Sequence, residues 1–190
     1  MLHISYGDIS LNFSDSEAQL RKSFPSPKSQ SFIDLLTKKS NENAKAQSLC
    51  AYIGLADLLQ KKGIDASGLD ISRTPEGKPY FENSNVFFSI SHTDKYFAVA
   101  IADSAVGIDI ESKILTDEKM QSIAKRYFLP SEATLVRDRE SFLKIWTFKE
   151  AYAKKIDAPL SGTMSNVSVT DDSIKKIYKK YNDAIICVCM

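Results

Sequence analysis

Val106-Gly107-Ile108-Asp109-Ile110-Glu111, read together with Trp146-Thr147-Phe148-Lys149-Glu150-Ala151-Tyr152-Ala153-Lys154, says more about this chain than any other part of it. In an extended strand alternate side chains share a face, so Val106, Ile108 and Ile110 are expected on a buried side, with Asp109 and Glu111 together on the other. Two neighbouring carboxylates repel unless a cation or a proton neutralises one of them, and hard oxygen donors of this kind suit Mg²⁺ bound jointly with phosphates. On a helix, Trp146, Glu150 and Lys154 recur at i, i+4 and i+8 and fall along one stripe, which adds a further carboxylate and a cation. Each piece alone also has a structural explanation. A half-exposed strand carries such carboxylates, and Glu150 with Lys154 is an ordinary helix pair.

Upstream, Gly77-Lys78-Pro79-Tyr80-Phe81 precedes Phe87-Phe88-Ser89-Ile90-Ser91-His92-Thr93, and an apolar run from Tyr96 to Ala102 leads into the acidic strand. Strands are expected at Leu2 to Leu11 and near residues 79–82, 86–91, 96–102 and 105–111. Ser14 or Asp15 is the expected cap of a short helix ending near Ser23, and a second helix is expected from Pro27 to about Lys39. A longer helix after Ser40-Asn41 carries Leu49, Tyr52, Ile53, Ala56 and Leu59 at helical spacing and stops at Lys61-Lys62-Gly63. Helices are further expected from about Asp117 to Tyr127, restarting at Leu129-Pro130-Ser131-Glu132, and from about Glu140 to Lys155. Beyond Pro159-Leu160-Ser161-Gly162 strands are expected, with Asn182-Asp183 as a hairpin turn.

A chain of 190 residues with 43% hydrophobic content is long enough to bury a substantial core, as one domain or two small halves. Its 25 basic and 24 acidic residues nearly balance, so no basic field points to nucleic acid and no acidic block to a solvating tail. The start, Met1-Leu2-His3-Ile4-Ser5-Tyr6, lacks the layout of a secretory signal, and no apolar run has transmembrane length, so a cytoplasmic location is expected. Cys50, Cys187 and Cys189 do not form a disulfide framework; Cys187-Val188-Cys189 reads as a strand with two small apolar side chains on one face.

Taken in order, GKPYF, FSISHT, VGIDIE and WTFKEAYAK resemble the signature of the 4′-phosphopantetheinyl transferase superfamily, and specifically its longer Sfp-type branch. The resemblance is strong from Gly77 to Lys154, diffuse over the first 70 residues and weak after Ser161. It implies an α+β fold of two similar halves related by a pseudo-two-fold axis, with the active site in the cleft between them. A division near Asp103-Ser104 would give an N-terminal half of residues 1–103 and a C-terminal half of residues 104–190 that carries most of the metal and catalytic residues. The activity implied is Mg²⁺-dependent transfer of the 4′-phosphopantetheine arm of coenzyme A to a serine of an apo acyl or peptidyl carrier protein, with release of 3′,5′-ADP. Under this reading Asp109 and Glu111 hold Mg²⁺, with Glu150 as a further ligand, as the base that takes the serine proton, or as both. Lys154 contacts the pyrophosphate and stabilises the leaving group, and Lys149 is a secondary phosphate contact or a solvated charge.

The resemblance also makes His92 a phosphate-binding residue, with Ser91 and Thr93 offering hydroxyl donors beside it. From its position alone, on the strand face of Phe88 and Ile90, a core histidine is the other reading. Gly77-Lys78-Pro79 reads as a turn on which the nucleotide end of coenzyme A lies, or as a surface turn with no ligand. One departure from the family stands out. Where Sfp-type enzymes carry an arginine for the 3′-phosphate of coenzyme A, this chain has Gln47, before Ser48-Leu49. A neutral amide cannot replace a bidentate guanidinium, which leaves Lys45 or Lys38 to make that contact, or the phosphate less tightly held. The segment from Lys113 to Phe128, with Lys119, Lys125, Arg126 and Tyr127, reads as the surface that meets an acidic carrier helix or as an amphipathic helix with a wetted basic face. The expected partners are coenzyme A and an apo carrier protein, with no nucleic acid and no membrane, and the expected state is a monomer. The competing functions are a non-catalytic module that binds coenzyme A or a carrier protein, and a Mg²⁺-dependent phosphohydrolase.

Overall fold

The computed structural model of the chain describes residues 1–9 and 13–190. Its contacts divide it into two compact units, Met1–Ala105 and Val106–Met190. The mixed α+β class expected from the sequence is what the chain adopts.

In the first unit the elements run β1 (Leu2–Asp8), α1 (Phe13–Ser23), α2 (Pro27–Thr37), α3 (Glu42–Lys61), β2 (Ile71–Arg73), β3 (Pro79–Phe81), β4 (Phe87–His92) and β5 (Tyr96–Ala102). Strands β1, β5 and β4 form an antiparallel sheet in that order, and β2 pairs with β3 in a separate ribbon. Helix α3 starts where Asn41 accepts the Ala44 N–H, and it buries Leu49, Tyr52, Leu55, Leu58 and Leu59. With Leu20, Phe24, Ile33, Leu36 and, from the strands, Phe81, Phe88, Val99 and Ile101, these residues form one core. The strand expected to reach Leu11 ends at Asp8, and positions 10 and 11 lie outside the described residues. Helix α1 begins at Phe13, ahead of Ser14 and Asp15, and the residue in its cap position is likewise outside the described residues.

The second unit runs β6 (Gly107–Glu111), α4 (Asp117–Tyr127), α5 (Pro130–Ala133), α6 (Arg139–Ile156), α7 (Leu160–Met164), β7 (Lys176–Tyr181) and β8 (Ala184–Cys189). Its antiparallel sheet has the order β6-β8-β7, with Asn182, at φ 51°, in the tight turn between β7 and β8. Past Gly162 the chain does not go straight to strands as expected. Residues 160–164 make the short helix α7, and β7 starts only at Lys176.

Helix α6 positions the site. Asp138 caps its start, accepting the Ser141 N–H at 2.8 Å while the Asp138 N–H donates back to Ser141 Oγ. The helix lies against β6 and β8 on the sheet face formed by Gly107, Asp109 and Glu111 and, across the register, by Cys189, Cys187 and Ile185. Cys187 and Cys189 are therefore core residues, buried beside Phe148 and Ala151. The alternation expected in β6 is observed, but both of its faces are covered. Ile108 and Ile110 are buried on one, and Asp109, only 6% exposed, lies on the face that meets α6.

Candidate active site

The distance between β6 and α6 is set by the one residue of this face that lacks a side chain. A Cβ on Gly107 would stand 1.8 Å from the Ala151 carbonyl oxygen and 2.5 Å from the Lys155 nitrogen, so only glycine permits the backbones to approach this closely. Farther along β6 on the same face come Asp109 and Glu111, and on α6 Glu150 and Lys154 directly precede Ala151 and Lys155, the two residues that meet Gly107. Lys154 Nζ lies 2.8 Å from Asp109 Oδ1 in a part-buried ion pair. Burial, the Asp109 charge and, less strongly, Glu111 push the Glu150 carboxyl up to about 7, against the pull of Lys154. Glu111 is also raised, by burial and by Asp109, while the N–H groups of Lys113 and Ser112 oppose the shift. Lys154 and Asp109 are thus in contact, and Asp109, Glu111 and Glu150 are near enough to act on one another through charge.

The donor chemistry of this group fits a hard divalent cation, because a set of carboxylates whose burial and mutual repulsion hold one of them half-protonated near neutrality carries uncompensated negative charge. The spacing is not that of a closed ligand shell. Among the described residues no group of three or more His, Cys, Asp or Glu side chains is gathered as a metal-binding cluster. Asp109 is turned to Lys154, and Glu111 Oε1 accepts the N–H groups of Ser112 and Lys113. Asp109, Glu111 and Glu150 would hold the ion.

Gly77, Lys78, Pro79, Ser91, His92, Thr93 and Gln47 lie in the first unit. Gly77, at φ 91°, closes the turn between β2 and β3: its N–H donates to Thr74 O, and its carbonyl accepts from Arg73 Nη1 at 2.9 Å. Lys78 is half-buried, with its N–H on Thr74 Oγ1, and Pro79 begins β3. Ser91 is buried within β4, and His92, at the strand end, is exposed rather than part of a core. Thr93 Oγ1 closes the following turn by accepting the Lys95 and Tyr96 N–H groups. Gln47 of α3 donates its amide to Asp94 Oδ1 in that turn at 3.0 Å.

Two expectations are corrected. Lys149 is neither a solvated charge nor placed at a phosphate site. It is fully buried and pairs at 2.7 Å with Glu132, which is fully buried too. Its ammonium also donates to the Val167 carbonyl, while Glu132 accepts the N–H groups of Leu129 and Val169. Burial lowers the Lys149 pKa despite this partner. Nothing in the sequence links Lys149 with Glu132, because neither periodicity nor local spacing relates positions on different helices. The second correction concerns Phe128, which sits in a core with Met120, Ala124 and Phe142 and not on a receiving surface. Lys119, Lys125, Arg126 and Tyr127 are exposed on α4, and Arg126 and Tyr127 line a groove of about 280 Å³ with Trp146, Leu160 and Met164.

With this geometry in place, comparison with known proteins gives one answer. Residues 105–189 match the model of the 4′-phosphopantetheinyl transferase superfamily. The 4′-phosphopantetheinyl transferase gsp of Aneurinibacillus migulanus is 28% identical over 131 residues, covering 66% of this chain and 54% of the relative. The 4′-phosphopantetheinyl transferase of Bacillus subtilis is 30% identical over 118 residues, 56% of this chain and 50% of the relative. HetI of Nostoc sp., also named a 4′-phosphopantetheinyl transferase, is 32% identical over 103 residues, 48% of this chain and 43% of the relative. The family resemblance read from the motifs is therefore borne out. The chain spans about half the length of the curated relatives it matches.

Proposed function

We propose that this protein transfers the 4′-phosphopantetheine arm of coenzyme A to a serine hydroxyl of an apo acyl or peptidyl carrier protein, releasing 3′,5′-ADP. The observation that carries the reading is the meeting of Asp109, Glu111, Glu150 and Lys154 across the Gly107 contact, inside the stretch that matches the family. A bound Mg²⁺ would offset the negative charge of the pyrophosphate oxygens.

The chain's own residues supply the rest. The serine oxygen attacks a pyrophosphate phosphorus, and the bond from that phosphorus to the departing ADP oxygen breaks, so the catalyst must orient the hydroxyl, take its proton and meet the charge that leaves. Glu150, whose carboxyl is pushed up to about 7 by burial and by Asp109 in the metal-free protein, is the base that takes the serine proton. The same carboxylate serves equally as a cation ligand. Lys154 is a cation held at the carboxylates by Asp109, from which it reaches the pyrophosphate and the leaving oxygen. In this reading Gly77, Lys78, Pro79, Ser91 and His92 hold the nucleotide and its phosphates. The basic face of α4 receives the carrier's acidic helix. The protein acts as a monomer in the cytoplasm; no helix among the described residues is long and apolar enough to cross a membrane.

Incubation with Mg²⁺, coenzyme A and apo carrier proteins, followed by mass spectrometry of the carrier, tests the proposal. A phosphopantetheine mass gain is expected. An unchanged carrier would leave a binding module, and phosphate release without carrier modification would indicate a hydrolase.

A further inference from the structure

Arg139, the first residue of α6, directs its guanidinium at backbone carbonyls. Nε donates to Lys113 O at 3.1 Å, and Nη2 donates to Ser112 O at 2.9 Å and to Asp183 O at 2.7 Å. Ser112 and Lys113 directly follow Glu111, and their N–H groups both donate to Glu111 Oε1, at 2.9 and 3.0 Å. Ser112 C=O and Lys113 N–H are the two ends of one rigid peptide plane, so fixing the oxygen fixes the direction in which the N–H points. A guanidinium bond at one end and a carboxylate at the other also polarise that peptide in the same sense.

We propose that Arg139 is a positioning residue for the Glu111 carboxylate. Through the Ser112–Lys113 peptide it holds Oε1 in the turn, which leaves Oε2 as the oxygen presented to a divalent cation. The inference rests on the reading of Asp109, Glu111 and Glu150 as cation ligands. The bond to Asp183 O, in the turn between β7 and β8, ties the same guanidinium to the sheet, so the Glu111 turn is braced against a rigid element. The planar fork is what the geometry uses, since a lysine ammonium is a point donor that cannot span all of these carbonyls.

The test titrates Mn²⁺ into metal-free protein, following free Mn²⁺ by electron paramagnetic resonance, and measures amide hydrogen exchange at Lys113. Arg139→Gln is expected to weaken Mn²⁺ binding about tenfold or more and to speed exchange of the Lys113 amide. Arg139→Lys, which keeps the charge and the aliphatic stem, is expected to fall between that variant and the parent, and it carries the test alone if Arg139→Gln does not fold. Met164→Ala, which removes a buried side chain of the same unit from α7, is expected to bind Mn²⁺ as the parent does, separating positioning from general loss of stability. Parent-level affinity in the Arg139 variants, with Glu111→Gln still abolishing binding, would overturn the positioning role and leave the cation reading intact. A parent protein that takes up no Mn²⁺, or a Glu111→Gln variant that binds it undiminished, would instead remove the cation reading, and the Arg139 inference with it.

Discussion

The Ala151 carbonyl oxygen occupies the space that a side chain on Gly107 would need, 1.8 Å from the position of its Cβ. The three nearest atoms to that position are all backbone atoms of α6, so no rotamer change relieves the clash and the strand must separate from the helix. Gly107→Ala is accordingly expected to destabilise the protein by about 3 kcal/mol or more and to abolish the proposed transfer. Chemical denaturation together with the carrier assay reads both effects. A variant as stable as the parent would show that the two backbones are not locked at this distance.

Glu132 and Lys149 form an ion pair with neither side chain exposed, and each also holds backbone groups of other segments. Removing one partner leaves the other charged and buried, so Glu132→Gln is expected to cost about 3–5 kcal/mol. The double variant Glu132→Gln/Lys149→Met removes both charges and is expected to recover part of that loss. Denaturant midpoints of the double variant and of the single variants Glu132→Gln and Lys149→Met decide it, and strict additivity would contradict the pairing.

Glu150 makes the stability of the metal-free protein depend on pH. Its folded value of about 7 lies above the ordinary 4.5, so the folded state retains a proton that the unfolded state releases first. The resulting penalty is absent below about pH 4.5, grows as pH rises through the interval, and is complete above about pH 7. Glu150→Gln should remove about 1–2 kcal/mol of that loss, discounting for partial exposure. Thermal midpoints in chelator at about pH 5 and about pH 8 provide the comparison. An unchanged pH slope would mean that Glu150 is not the group responsible.

Gln47 donates its amide to Asp94, which sets a condition on placing at this position the arginine that the resemblance to Sfp-type enzymes implies. Gln47→Arg is expected to tighten coenzyme A relative to dephospho-coenzyme A, but by less than Gln47→Arg/Asp94→Asn, because Asp94 competes with the 3′-phosphate for the guanidinium. Calorimetry with both ligands measures the preference. If neither variant changes it, position 47 does not meet the 3′-phosphate.

Residues close in sequence were the legible ones. Period-two alternation placed Asp109 and Glu111 on one face of β6, and spacing by four put Glu150 and Lys154 on one side of α6. The expected bounds of α4 coincide with the observed Asp117–Tyr127, because Thr116 caps its first turn and basic residues close its last. Where a helix met no such signal, as at Leu160–Met164, it was missed. The role of Lys149 was misread for a related reason: a lysine in a charged helix looks solvated until its partner, Glu132, is brought to it from another element.

By itself the order of residues determined that the chain mixes helices with strands, that Asp109 and Glu111 share one face of a strand, and that Glu150 and Lys154 share one side of a helix. Those are properties of periodicity and residue type, which act within a few positions of the backbone. Only the tertiary structure decided that the strand and helix meet at Gly107, that Lys154 neutralises Asp109, that Lys149 is buried with Glu132 and that Arg139 braces the turn after Glu111. Such contacts join residues far apart along the chain, and packing distance, burial and the local dielectric set their energies.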